Sequence, residues 1–171
     1  FDEAQLLGTR HAASMAVSGA DGAITFGALG ERSLRCAAAI ESAATRPSGD
    51  VSAAPVAVAI AKSCAQVVAV MATLASGRAY VPIALNQPAD RICKILVAVD
   101  CAVTLVGSGE AESLLAGVGW PVGCTALAVD VTSPLPAPLP HAVLPTSLSE
   151  LAYIIFTSGS TGRPKGSLNT H

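Results

Sequence analysis

The residues best suited to chemistry lie close to the end of the chain. Residues 153–166 read YIIFTSGSTGRPKG. Thr157, Ser158, Ser160 and Thr161 supply hydroxyls that can donate to anionic oxygens. Gly159 and Gly162 carry no Cβ, which lets successive backbone N–H groups turn into one concavity of the kind that holds a phosphate. Lys165 adds a point charge at the end of the loop, and Gly166 follows it. An ordinary flexible surface loop is the competing reading. The joint occurrence of an apolar run, a loop dense in hydroxyls and a closing lysine favours a phosphate site over it. The spacing is not that of a Walker A loop, which needs Gly, four residues, then Gly-Lys-Ser/Thr. Here Gly159 is followed by STGRPKG and Pro164 precedes Lys165, so a P-loop GTPase or ATPase is disfavoured.

A loop of this kind needs rigid elements behind it. The run Tyr153–Phe156 has the aromatic and β-branched content of a buried strand. Upstream, PVAVAI at residues 55–60 predicts a strand. Residues 63–76 predict a helix whose stripe is Val67, Val68, Met71, Leu74 and Ala75, stopped by Gly77. Residues 89–99 predict a second helix with Ile92, Ile95, Leu96 and Val99 on one face, closed by Asp100 and Cys101. A strand at 102–106, a short helix at 110–116 and a strand at 127–131 follow. This alternation from 55 to 131 argues for a parallel α/β sheet. Before it come a weak helical pattern over residues 1–22 that ends in a Gly/Asp turn at 19–22, a short strand at 24–26, and a helix over 27–44 with Leu29, Cys36, Ala37 and Ile40 near one face. The proline-rich stretch 133–145 reads as a surface connector, and Ser147-x-x-Glu150 as the cap of one helical turn. No repeat or internal domain boundary is evident.

Composition narrows the function. The 171 residues are 51% hydrophobic and 13% charged, against roughly 25% charged in an average domain. So sparse a charge suits a surface that more protein covers. A net charge of -2 and few aromatics give no case for nucleic acid. The five cysteines, Cys36, Cys64, Cys93, Cys101 and Cys124, are odd in number and form no CxxC pair. They read as reduced, buried small hydrophobes in a cytoplasmic protein, without a metal site. The acidic start FDEAQLL is no signal peptide, and the apolar region 51–75 is interrupted by Pro55, Lys62 and Gln66, so no membrane span is expected. The chain starts with Phe and stops at His171, and both ends look like cuts in a longer protein.

LAYIIFTSGSTGRPKG resembles the phosphate-loop signature of the adenylate-forming enzymes, the superfamily of nonribosomal peptide synthetase adenylation domains, acyl- and aryl-CoA ligases and luciferase. A second segment, GRAYVPIALNQPADRI, is similar to the family's Gly-x-Ala-Tyr-x-Pro-Leu-Asp-Pro-x-x-Pro-x-x-Arg-Ile: Gly77, Ala79, Tyr80, Val81, Pro82, Pro88, Arg91 and Ile92 match. The Ala-Tyr-Val-Pro form is nearer to peptide-synthetase domains than to most CoA ligases. Ala84 and Leu85 replace the usual Asp-Pro, which removes a rigid turn from this mainly architectural motif. ITFGALGERS is similar to the family's opening motif, with Phe26 for the common Tyr, and residues 52–54 resemble a small insertion.

The resemblance implies the N-terminal portion of the large adenylate-forming domain, a mostly parallel sheet flanked by helices, incomplete as given over residues 1–171. It implies a reaction in which a carboxylate, an amino acid or another carboxylic acid, attacks the α-phosphorus of ATP and pyrophosphate leaves. Thr157, Ser158, Gly159, Ser160, Thr161, Gly162, Lys165 and Gly166 would hold the ATP phosphates, with Lys165 in the catalytic role. Arg163 falls at a variable position, and His171 at one where the family often has His. Charge-assisted hydrogen bonds contribute roughly 1.5–3 kcal/mol each, so two or three that strengthen in the transition state supply about 3–9 kcal/mol. Mg2+ would accompany ATP, with its ligands outside this fragment. The acyl group would pass to a phosphopantetheine thiol on a peptidyl or acyl carrier domain. The family's adenine and ribose segments, acidic metal ligand, acyl pocket and C-terminal lysine lie downstream, so the remainder of the domain is an expected partner and the isolated fragment is expected to be inactive. An acyl- or aryl-CoA ligase fragment and a non-catalytic remnant are the alternatives.

Overall fold

A computed structural model describes residues 11–44, 54–108, 120–133, 147–157 and 164–171. The helix expected at 110–116, residues 52–53 of the expected insertion at 52–54, and most of the proline-rich connector lie outside these residues.

A hairpin, β1 (Met15–Gly19) and β2 (Gly22–Thr25), opens the fold and leads into α1 (Phe26–Ala44). Then come β3 (Val56–Ala59), α2 (Cys64–Ala75), β4 (Tyr80–Pro82), α3 (Ala89–Ala98), β5 (Val103–Gly107), β6 (Thr125–Val129), β7 (Leu151–Thr157) and β8 (Lys165–Thr170). Six strands form one sheet in the order β6-β5-β3-β4-β7-β8. All neighbours are parallel except β7 and β8, which are antiparallel. This is the expected α/β architecture.

The central strands are apolar on both faces. VAVA of β3 and VTLVG of β5 are buried throughout, as strands covered on both sides must be. On one face α1 and α2 pack over Val56, Val58, Val103 and Leu105. On the other, α3 sets Ile92, Ile95 and Leu96 against Ala57, Ala59, Val81 and Val106. The face of α3 follows the sequence pattern. That of α2 follows it only in part: Val68 is buried and Ala75 packs on the core, but Met71 is 46% exposed, and the buried stripe is Cys64, Ala65, Val68, Ala69, Ala72 and Thr73. The alanines let α2 sit close against its neighbours, and this close fit outweighs the larger hydrophobic payload of Met71. A second correction concerns the N-terminal region: residues 15–19, expected to be weakly helical, form a strand that pairs with β2 around the Gly22 turn (φ 114°). Short local pairing wins where the helical pattern was weak.

The helix ends carry specific hydrogen bonds. Ser63 caps α2, its Oγ accepting from Gln66 N at 3.2 Å. Asp21, from the β1–β2 turn, accepts from Cys64 N at 2.8 Å and from Ala65 N at 2.9 Å. Its carboxylate therefore satisfies two donors that a helix start leaves unpaired, at the end of the helix dipole that favours negative charge. At the other end Gly77 N donates to Leu74 O and Arg78 N to Thr73 O, the Schellman pattern, with Gly77 at φ 69°. The pattern recurs after α3, where Asp100 N donates to Val97 O and Cys101 N to Leu96 O, but here Asp100 holds the positive φ of 49°. Arg78, 4% exposed, runs between α1 and β3: its Nε donates to Glu41 at 3.0 Å and its Nη1 to Ala54 O at 3.1 Å.

The turn that Ala84 and Leu85 were expected to weaken is formed, with Gln87 N donating to Ala84 O at 3.2 Å. Leu85 packs against the α3 core, an apolar gain in place of the missing Asp-Pro rigidity. Ser147 and Glu150 form a turn before β7 (Glu150 N to Ser147 O, 3.0 Å) and no helical turn follows.

The Asp21 clamp yields a prediction. Burial pushes the carboxyl pKa up, but the hydrogen bonds from Cys64 and Ala65 outweigh it, and the net value falls below the ordinary 3.8. Its stabilisation is thus fully present above 3.8 and lost as pH falls through the lowered folded-state value. Asp21→Ala should cost about 1 kcal/mol at neutral pH, read from urea unfolding, and the difference between variant and parent should shrink as the pH is taken below that range.

Candidate functional site: the β7–β8 hairpin and its loop

The apolar run that precedes the loop is strand β7, one residue longer at its end than the predicted core and including Thr157. Its alternate residues divide between two environments. Ala152 is buried, and on the same side of the strand Ile154 is buried and Phe156 half-buried against the cluster that holds Val81, Ile83 and Ile95. Tyr153, Ile155 and Thr157 point the other way, and Ile155 and Thr157 are exposed. Tyr153 stacks on Tyr80 of β4, ring centroids 5.5 Å apart and planes at 30°. The same two residues are the registered pair that joins β7 to β4.

The chain after the loop returns as a strand, which the sequence reading did not anticipate. β8 pairs with β7 through Phe156↔Gly166 and Thr157↔Lys165. Lys165 is therefore not the tip of a loop but the first rung of a ladder. It lies directly across from Thr157, on the same face of the hairpin, and both are exposed. Pro164, which has no N–H to give, stands just outside the ladder, where no bond is lost. The hydroxyl and the ammonium thus flank the mouth of the loop, one on each strand. Ser158, Gly159, Ser160, Thr161 and Gly162, together with Arg163, lie outside the described residues.

Gly166 has a packing reason as well as a place in the motif. A Cβ there would lie 3.1 Å from Ile154 Cγ2 and 3.1 Å from Phe156 Cζ. The Phe156 ring lies across the glycine opposite it, an arrangement that pins register in antiparallel pairs. Because register fixes which residue opposes Thr157, this contact also fixes Lys165. An aromatic residue paired with a glycine across a putty of small residues was the one available sequence signal for the hairpin, and it requires knowing the turn length in advance.

The loop leaves at the carboxyl end of β7, which runs parallel to β4, β3 and β5. In open α/β sheets that end is where ligands bind. A hydroxyl and an ammonium at this place match the donor chemistry a polyphosphate needs. Among the described residues, no group of three His, Cys, Asp or Glu could hold a metal ion, and no helix is long and apolar enough to cross a membrane. His171 is exposed, and its N–H donates to Glu150 O at 3.3 Å. His11 is exposed in the turn before β1.

Comparison with known proteins agrees with this geometry. Residues 3–171 match the family model described as AMP-binding enzyme. The chain is 39% identical over 158 residues to the phenyloxazoline synthase MbtB of Mycobacterium sp. (strain MCS), a match covering 91% of this chain and 12% of that protein. It is 36% identical over 116 residues to the pyochelin synthetase PchF of Pseudomonas aeruginosa, covering 68% of this chain and 6% of that one. The chain therefore spans about a tenth or less of the length of these relatives. The crystal structure of the nonribosomal peptide synthetase FmoA3 in its AMPPNP-bound form superposes with a TM-score of 0.77 at 25% identity, over 99% of this chain and 17% of that one. The N-terminal subdomain of Klebsiella oxytoca NpsA shares the fold, with a TM-score of 0.71 at 22% identity over 98% of this chain and 40% of that one.

The Gly166 contact can be tested directly. Gly166→Val should destabilise the hairpin by about 1–3 kcal/mol, and Phe156→Leu in the same chain should recover part of that loss, as seen in a double-mutant unfolding cycle. Additive losses would mean the two side chains do not meet. With the matched sequence, the parallel sheet and the loop at the end of β7 all pointing one way, the chain belongs to the AMP-binding enzyme family.

Proposed function

We propose that this chain is the phosphate-holding part of an ATP-dependent carboxylate-activating enzyme, one that forms an aminoacyl-adenylate and releases pyrophosphate. The observation that carries the proposal is the Thr157↔Lys165 pair, which sets a hydroxyl and an ammonium on either side of the loop mouth. The names of the relatives, a phenyloxazoline synthase and a pyochelin synthetase, support a place within a larger synthetase.

ATP is the substrate whose α-phosphorus accepts the carboxylate. The chain's own residues act on the other end of that molecule. Thr157 donates its hydroxyl to a phosphate oxygen. Lys165, held by its backbone in the ladder, neutralises charge that grows on the departing pyrophosphate. In this reading Ser158, Gly159, Ser160, Thr161, Gly162 and Gly166 complete the phosphate site, and residues 1–171 form part of one adenylation domain. Mg2+ accompanies the nucleotide on ligands from elsewhere in the domain. The acyl group then moves to the phosphopantetheine thiol of a carrier domain. The remainder of the adenylation domain, the carrier domain and a carboxylic acid are the partners, in a cytoplasmic setting.

The test is amino-acid-dependent ATP–pyrophosphate exchange by the synthetase that carries this segment. Lys165→Ala should lower the exchange rate by about 10²–10³-fold, with an unchanged unfolding midpoint because Lys165 is exposed. Exchange that needs fatty or aryl acids would move the assignment to a CoA ligase. A folded synthetase without exchange on any acid would overturn it.

A further inference from the structure

Three polar side chains meet inside the α3 face of the sheet, away from the phosphate loop. Cys101 follows the end of α3 and is 1% exposed, its Sγ donating to Val103 O at 3.1 Å. Thr104, equally buried, has its Oγ1 3.7 Å from Cys101 Sγ and 3.4 Å from Cys124 Sγ. Cys124 stands just before β6, at the end of a turn closed by Cys124 N donating to Pro121 O at 3.0 Å. The two thiols thus meet the same Thr104 hydroxyl. Nothing in the adenylation chemistry uses them.

We propose that Cys101 and Cys124 form a reversible thiol-modification site, which a low-molecular-weight disulfide closes into an intramolecular bridge. The backbone permits it. Thr125 N donates to Ala102 O at 2.8 Å, so the two cysteines sit diagonally across adjacent parallel chains. Strands ~4.8 Å apart with a ~3.3 Å rise put such Cα atoms about 6 Å apart, within the span of a disulfide. The remaining approach of the sulfur atoms falls on Cys124, which is partly exposed between β6, the last strand in the sheet order, and a surface turn where Gly123 has φ 84° and Val122 is fully exposed.

The order of events follows from exposure. The Cys124 thiolate attacks one sulfur of the reagent R–S–S–R; the Cys124–S–R bond forms, and R–S⁻ leaves. Cys101 then loses its proton to solvent, and its thiolate attacks Cys124 Sγ, expelling the second R–S⁻. The protein loses two protons and two electrons, and the reagent is reduced to two thiols. In the reduced protein the hydrogen bond with Cys124 and burial both raise the Cys101 thiol's pKa well above its ordinary value; once Cys124 carries R, burial remains, so closure is the slower step and speeds up as pH rises. Other thiols in the segment are worse placed. Cys36 is pushed up to about 11 by burial, and Cys64 is buried with its Sγ directed at Gly22 O, 3.4 Å away.

The test uses the synthetase that carries this segment, treated with oxidised glutathione, alkylated and digested without reduction. Trypsin with a Glu-specific protease cuts after Glu110 and Glu112, between the two cysteines. The expected product is one pair of peptides joined through Cys101 and Cys124, lost on adding dithiothreitol, with Cys36 and Cys64 still alkylated. Cys101→Ala should stop the reaction at glutathione on Cys124, and Cys124→Ser should leave Cys101 as a free thiol. The wild-type map needs no variant to fold. Glutathione retained on Cys124 of the wild type, a bridge to Cys93, or no reaction at Cys124 would each overturn the proposal.

Discussion

The hairpin that carries the candidate site is joined to the rest of the sheet by very little backbone. β4 is three residues long and meets β7 at one registered pair, Tyr80↔Tyr153. Every spatial relation between the loop and the core passes through that junction. Side chains on both faces reinforce it. The stacked tyrosine rings brace one face, with an aromatic pair of this kind contributing about 0.5–1.5 kcal/mol beyond its buried area. On the other face Ile154 and Phe156 join the cluster under α3. The Gly-x-Ala-Tyr-x-Pro segment and the phosphate-loop segment, distant in sequence, are thus two halves of one joint.

The remaining polar side chains set the elements that hold this joint. Asp21 ties the β1–β2 turn to the start of α2, and Arg78 ties α1 and the start of β3 to the turn after α2. Arg32 adds a third tie, donating from α1 to Asp130 O and Ser133 O at the end of β6. These groups fix orientation more than they add stability, because each exchanges water contacts for protein contacts. The apolar layers supply the driving force, and the ties select one arrangement of helices among the several that would bury similar area.

The strands VAVA and VTLVG and the α3 face were legible in the sequence because both period and composition spoke for them. The α2 face was legible only in part. Its alanines carry little weight in a hydrophobic pattern, yet close packing chooses them over Met71. β1 was lost because MAVSG is short and gains its order from pairing with β2. β8 was lost because KGSLNT is polar, as an edge strand tends to be, and its pairing depends on a residue contact across the loop, Phe156 over Gly166. The residue types of the site were readable without its geometry. Lys165 was read as the end of a loop, whereas its position is set by strand register.

Closure of that loop has an entropic consequence for binding. Thr157 and Lys165 are joined across the ladder, so the ends of the intervening stretch, residues 158–164, are brought together when the hairpin folds. The cost of closing such a ring, about 2 kcal/mol for its length, is met by strand pairing and by Phe156 resting on Gly166. In the proposed function, a phosphate arriving at the mouth would meet a ring whose two ends are already joined. Phe156, which is not among the residues proposed to hold the phosphate, would thereby still assist its binding by keeping the ring shut.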